Sequence, residues 1–121
     1  MIDMGAAKSG TTTIITRTNS RNLLFSFPQM LAHHSITGCP MQVGDLLGSG
    51  TISDTEPGTQ GSLLEQSLNG KSKIQLDGGE ERTFLDDFDT VSIRGCAGGV
   101  EGELVGFGEC IGRIEPAVRL Q

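Results

Sequence analysis

The side chains best suited to chemistry lie between Gly44 and Glu65: Gly-Asp-Leu-Leu-Gly-Ser-Gly-Thr-Ile-Ser, a polar loop, then Gly-Ser-Leu-Leu-Glu. Gly48 and Gly50 flank Ser49 and remove side chains where a backbone or a ligand can approach closely. Thr51 and Ser53 follow as hydroxyls on what reads as a short strand otherwise holding only Leu and Ile. Backbone N–H groups over Gly48-Ser49-Gly50-Thr51 could cradle an anion. The segment lacks the lysine of a phosphate-binding loop, so phosphate is a weak fit. Glu56-Pro57-Gly58 marks a turn, and Gly61 then opens a second strand. Two-residue alternation there puts Glu65 on one face with Leu63 and Ser67. A carboxylate on a half-apolar face, delivered by a Gly-rich bend beside a Thr hydroxyl, is the chemically suggestive feature. Periodicity alone favours the plainer reading, a solvated Glu on an edge strand.

Other reactive side chains are less well arranged. His33 and His34 are adjacent and project to different sides of a helix, so neither has the i, i+4 partner of a helical metal pair. His34 falls with Leu31 and Phe27, which favours a core histidine satisfied by a backbone group. Cys39, Cys96 and Cys110 form no CxxC and have no zinc-site spacing. Asp86, Asp87 and Asp89 lack the Gly and distal Glu of an EF-hand loop, so a solvated acidic turn is expected. Gly106-x-Gly108-x-x-x-Gly112 has the wrong spacing for a dinucleotide fingerprint and no helix after it, which leaves a bulged strand.

The elements that must position these residues follow from local pattern. Gly10 to Arg17 is dense in Thr and Ile and reads as a strand. Asn19-Ser20-Arg21-Asn22 breaks it. Leu24, Phe27, Leu31 and His34 recur at helical spacing, with Ser26 as N-cap, Pro28 in the first turn and Gly38 past the end. The one substantial helix is placed at about Phe27 to Thr37. Leu68-Asn69-Gly70-Lys71 has the signature of a type I′ hairpin, and Asp77-Gly78-Gly79 that of a second turn. Short strands are expected over Arg82 to Leu85, Thr90 to Cys96 and Leu104 to Ile114. The fold class is mostly β with one principal helix (α+β).

With 121 residues the chain has room for one domain and a modest core. Glycine, at 18 residues, is about twice as frequent as usual and lies between apolar runs, as expected for many turns and bulges. A net charge of −6 and the lack of any basic cluster beyond Lys71-Ser72-Lys73 argue against a nucleic-acid or anionic-membrane surface. Three cysteines cannot all pair, which fits a reducing compartment. No apolar run reaches membrane-spanning length, and Met1 to Met4 does not resemble a signal peptide. A soluble, cytoplasmic domain is the expectation.

Leu31-Ala32-His33-His34-Ser35-Ile36-Thr37-Gly38-Cys39, Gly44-Asp45-Leu46-Leu47 and Ser49-Gly50-Thr51-Ile52-Ser53 together resemble fumarylacetoacetase. The likeness continues through Gly61 to Glu65, Thr83 to Asp86 and Val105 to Cys110, and covers roughly Thr11 to Ala117. It implies part of a mixed β-sandwich roll with few helices, in agreement with the reading above. It also implies a hydrolase of tyrosine and phenylalanine catabolism that cleaves a C–C bond in a 1,3-dicarbonyl acid, giving fumarate and acetoacetate. In that family Ca²⁺ or Mg²⁺ polarises the substrate carbonyls, a Glu–His dyad activates water, and the enzyme is a homodimer. By resemblance Glu65 is the dyad Glu, acting as general base with a pKa raised by a semi-apolar setting. Thr51 matches a Thr that binds a substrate carboxylate. His33 and His34 match a His-His pair that is not catalytic.

The family's cation ligands, dyad histidine and basic substrate-binding residues lie upstream of the stretch that this sequence resembles. The expectation is therefore a single partial domain over residues 1–121, the C-terminal portion of a catalytic domain, inactive alone and with no metal ligands of its own. Asp54 stands where the family usually has Gly, and Thr59-Gln60 where it has Asn-Phe, which bears on loop shape and substrate preference. Two alternatives stay open. One is a non-catalytic truncated paralogue acting as a binding or dimerisation module. The other is a family member acting on a different β-keto acid.

Overall fold

Alternating Thr and Ile over Thr12–Thr16 form strand β2, and it pairs with a strand that local pattern does not announce, β1 at Ile2–Gly5. The computed structural model describes residues 1–99 and 102–118. Asp disfavours strands, yet Asp3 sits in the middle of β1 and is almost fully buried. Its Oδ2 accepts a 2.8 Å bond from Arg94 Nη1 on the next strand, so the charge is paired where it is buried. That next strand is β5 (Thr90–Ala97), which pairs in turn with β6 (Val105–Arg113). The sheet order is β2-β1-β5-β6, antiparallel throughout. A bulge between Arg94 and Cys96 and the positive φ of Gly108 match the bulged strand expected from the Gly spacing.

A two-stranded ribbon, β3 (Ile74–Gln75) with β4 (Glu81–Arg82), closes around the Asp77-Gly78-Gly79 turn as the sequence predicts. It is shorter than expected, since Thr83, Phe84 and Leu85 lie outside β4. Met4, Ala6, Ile15 and Leu76 form a small core, with Leu63, Ile74 and Leu85 packed against it. The principal helix α1 (Phe27–Ile36) has the expected ends. Ser26 and Gln29 form a capping box, Pro28 sits in the first turn, and Gly38 has φ +84°. None of its residues is buried, so its apolar stripe does not face the core. The mostly stranded, one-helix class is thus as expected, and among the described residues no helix is long and apolar enough to cross a membrane.

The acidic turn before β5 departs from expectation. Asp86 and Asp87 are exposed, whereas Asp89 is fully buried. Arg82 Nε donates to Asp89 Oδ2 at 2.8 Å and Nη2 to Oδ1 at 3.0 Å, a bidentate pair. Asp89 also accepts the backbone N–H groups of Ala7 and Asp86. Arg82 Nη2 reaches Glu80 as well, at 2.8 Å. One buried carboxylate therefore joins the segment after β1, strand β4 and the start of β5. The Arg82 hydrogen bonds pull the Asp89 pKa down to about 2 despite the opposing effect of burial.

Candidate active site

The central stretch folds differently from its strand pattern. Residues 47–53 form no strand. Leu63–Gln66 is a short helix, α2, with Ser62 as its N-cap. The Ser62-Leu63-Leu64-Glu65 sequence explains this, since Ser followed three residues later by Glu is a helix-start signature. Ser62 Oγ accepts the Glu65 N–H at 3.3 Å. Leu63 turns to the core, Gln66 Nε2 donates to the carbonyls of Ile15 and Gln60, and Ser67 is fully buried. These anchors leave Glu65 exposed on the outer side of α2, not on a shared face with Leu63 and Ser67. Leu68-Asn69-Gly70, all at positive φ, form the turn that leaves the helix and do not link two paired strands.

The loop before α2 is pinned at both ends. Gly58 O accepts from Thr16 Oγ1 and Arg17 N, which ties the loop to β2. At its base a Cβ on Gly61 would lie 2.8 Å from Ile52 N and O, so only glycine lets the two backbones pass so closely. That approach sets Ser53 over Glu65. Ser53 Oγ accepts the Gly61 N–H at 2.9 Å and donates to Glu65 Oε2 at 2.8 Å and Oε1 at 3.0 Å. Ser62 Oγ donates to Oε2 at 2.9 Å. The Ser53 hydroxyl, followed by that of Ser62, holds the Glu65 carboxyl below its ordinary value. The expected semi-apolar setting with a raised pKa is therefore replaced by an accessible, hydroxyl-bound carboxylate.

The other candidates are dispersed. Thr51 is exposed, and its hydroxyl has no hydrogen-bond partner among the described residues. Gly50 needs its freedom, with φ +76°, whereas Gly48 has no positive φ and a Cβ there would meet nothing within 4 Å. Ser49 lines a broad cleft of about 650 Å³ with Leu46, Phe25, Phe27, His33 and His34. His34 is thus exposed beside this cleft and not a core residue, because the stripe it shares lies against no sheet. Gly61, Ser62 and Leu63 line a second, apolar cleft of about 170 Å³ with Ile2, Ile15 and Ile93. The three cysteines are free and exposed. Among the described residues no group of three or more His, Cys, Asp or Glu could hold a metal ion. The described residues do not fit a divalent-cation site. Sequence reasoning passed over Ser53 and Ser62 as partners of Glu65, although the Ser-x-x-Glu spacing was available to find one of them.

Comparison with known proteins gives this geometry a setting. The sequence matches the family described as Fumarylacetoacetate (FAA) hydrolase C-terminal over residues 7–115. It is 63% identical over 112 residues to the fumarylacetoacetase of Aspergillus fumigatus, covering 93% of this chain and 26% of that protein. It is 60% identical to the fumarylacetoacetase of Emericella nidulans, over 92% of this chain and 25% of that one. The Arabidopsis thaliana fumarylacetoacetase is 46% identical over 86% of this chain and 24% of its own length. The chain spans about a quarter of the length of the curated relatives it matches. With nearly its whole length matched, the chain belongs to the fumarylacetoacetate hydrolase C-terminal family.

Proposed function

We propose that this chain contributes part of the site of a hydrolase that cleaves fumarylacetoacetate to fumarate and acetoacetate. The observation that carries the reading is the Ser53–Glu65–Ser62 cluster, an accessible carboxylate fixed by two hydroxyls within a chain of this family. Glu65 serves as the carboxylate of the water-activating dyad. A carboxyl held below its ordinary value is ionised at neutral pH and can accept a charge-assisted hydrogen bond. It orients an imidazole and stabilises the cation formed as that base takes a proton from water. The histidine and the Ca²⁺ or Mg²⁺ ligands belong to family segments beyond the matched quarter. The roll architecture, the homodimer and a cytoplasmic location are parts of the same proposal. The nine exposed residues of β6 and three free cysteines support the last two.

Thr51 offers the substrate carboxylate an exposed hydroxyl without adding charge. The test uses a full-length chimera, in which this sequence replaces the matching segment of the Aspergillus fumigatus relative. Thr51→Val keeps the shape and removes the hydroxyl. A hydrogen bond to a charged group is worth about 1.5–3 kcal/mol, so KM is expected to rise by about one to two orders of magnitude. An unchanged KM with a lower melting temperature would make Thr51 a structural residue and remove it from the site.

The 121-residue chain by itself is expected to hydrolyse no fumarylacetoacetate. It has no cation cluster among its described residues. Exposed Val105, Phe107 and Ile111 on β6 favour its self-association. Absorbance assays of substrate loss, with calorimetric titration of Ca²⁺ and Mg²⁺, check this. Turnover accompanied by micromolar cation binding would mean that the short chain assembles a complete site.

A further inference from the structure

We propose that Ser53 and Ser62 are positioning residues for Glu65, clamping its carboxylate in one orientation with Oε1 presented to a partner. The inference rests on the reading of Glu65 as the dyad carboxylate. A hydroxyl has one proton to give, and here each serine also accepts one backbone N–H. Ser53 Oγ takes the Gly61 N–H and Ser62 Oγ takes the Glu65 N–H, which orients each hydroxyl as it gives its proton to the carboxylate. The two oxygens are then unequal. Of the side-chain bonds among the described residues, Oε2 accepts two short ones, at 2.8 and 2.9 Å, whereas Oε1 accepts the longer arm of the Ser53 bond, at 3.0 Å. Oε1 keeps the greater share of its acceptor capacity for an incoming N–H or water.

Two further features converge on the same carboxylate. Gly61 permits the close backbone passage that brings Ser53 into place. Gln66, one residue after Glu65, fixes α2 to the carbonyls of Ile15 and Gln60, so the helix that carries the carboxylate cannot swing away. Among the described residues no charged side chain contributes to this arrangement. Asp54, next in sequence to Ser53, is occupied with the Thr55 N–H and with Asn22 Nδ2. The lowered pKa of Glu65 accordingly has the Ser53 hydroxyl as its leading cause and that of Ser62 next. A group of this kind stays ionised as pH falls until its depressed pKa is reached, so loosening the clamp moves the titration to higher pH.

The test pairs a direct titration with kinetics. Carbon-13 NMR of the Glu65 carboxyl in the 121-residue chain follows its midpoint in wild type, Ser53→Ala and Ser62→Ala. The same substitutions, with Ser53→Thr, go into the full-length chimera. The midpoint is expected to rise in both alanine variants. In the chimera kcat should fall about tenfold with KM unchanged, the acid limb of its pH profile should move upward, and Ser53→Thr should restore both. An unmoved midpoint in both alanine variants overturns the clamp. A raised midpoint with unaltered kcat, alongside an inactive Glu65→Gln, also overturns it, because the serines then merely solvate the charge. An active Glu65→Gln instead removes the catalytic reading of Glu65, and the proposal falls with it whatever the titration shows.

Discussion

Glu65→Gln in the full-length chimera is expected to lower kcat by about 10²–10⁴, the scale of the general-base catalysis that its carboxylate supports by orienting the dyad imidazole. The substitution is nearly isosteric and removes only the charge. Ser53 and Ser62 can still donate to the amide oxygen, so the loop over residues 53–61 keeps its closure. Glu65 lies in the first turn of the short helix α2, where a negative charge is mildly favoured by the unpaired N–H groups of the helix start. The melting temperature should therefore drop by only a few degrees. Steady-state kinetics with a parallel thermal melt separates the two effects. A kcat within threefold of wild type would remove Glu65 from the mechanism and return it to the role of a helix-start residue.

Asp89→Asn is expected to cost about 3–5 kcal/mol of folding stability, the penalty for leaving one member of a buried ion pair without its partner. Arg82 would keep its guanidinium beside a neutral amide that cannot accept two parallel bonds, and its carboxylate compensation would rest on Glu80 and on Asp86 at 3.2 Å. The Ala7 and Asp86 N–H groups would compete for the single remaining oxygen. For a domain whose whole stability is of order 5–15 kcal/mol, this is enough to populate unfolded chains. Urea denaturation of wild type, Asp89→Asn, Arg82→Met and the double variant measures the effect and the coupling between the two residues. Single variants that each lose less than about 1 kcal/mol would show that the pair does not hold the fold together.

The same pair sets a pH dependence with a definite sign. The Asp89 pKa is about 2 in the folded chain, depressed from an ordinary value of 3.8. A group depressed on folding stabilises above its unfolded pKa, and that contribution is lost as pH falls through the folded value. The chain should thus lose stability between about pH 4 and pH 2, and Asp89→Asn should flatten that part of the curve.

By itself the sequence determined the elements whose signals are local. Ser26, Pro28, Gln29 and Gly38 delimit α1 through their own side chains and backbone preferences, and the helix starts and stops where they require. Alternation over Thr12–Thr16, Thr90–Ala97 and Val105–Arg113, with Asp77-Gly78-Gly79 between short strands, likewise needs no distant partner to be read. The tertiary structure decided the rest, because the deciding partners are far apart in the chain. Asp3 becomes part of a strand only because Arg94, 91 residues away, neutralises it. Asp89 is buried only because Arg82 and the Ala7 N–H meet it there. In the candidate site a local cap competed with a two-residue alternation, and the cap prevailed because Leu63 and Gln66 dock α2 on the core and β2. Glu65 was singled out as a candidate dyad residue by the resemblance alone. The surroundings of its carboxylate were not legible, because they depend on Ser53 crossing a loop to reach it, and only the folded chain, passing Ile52 close over Gly61, brings that hydroxyl within 3 Å.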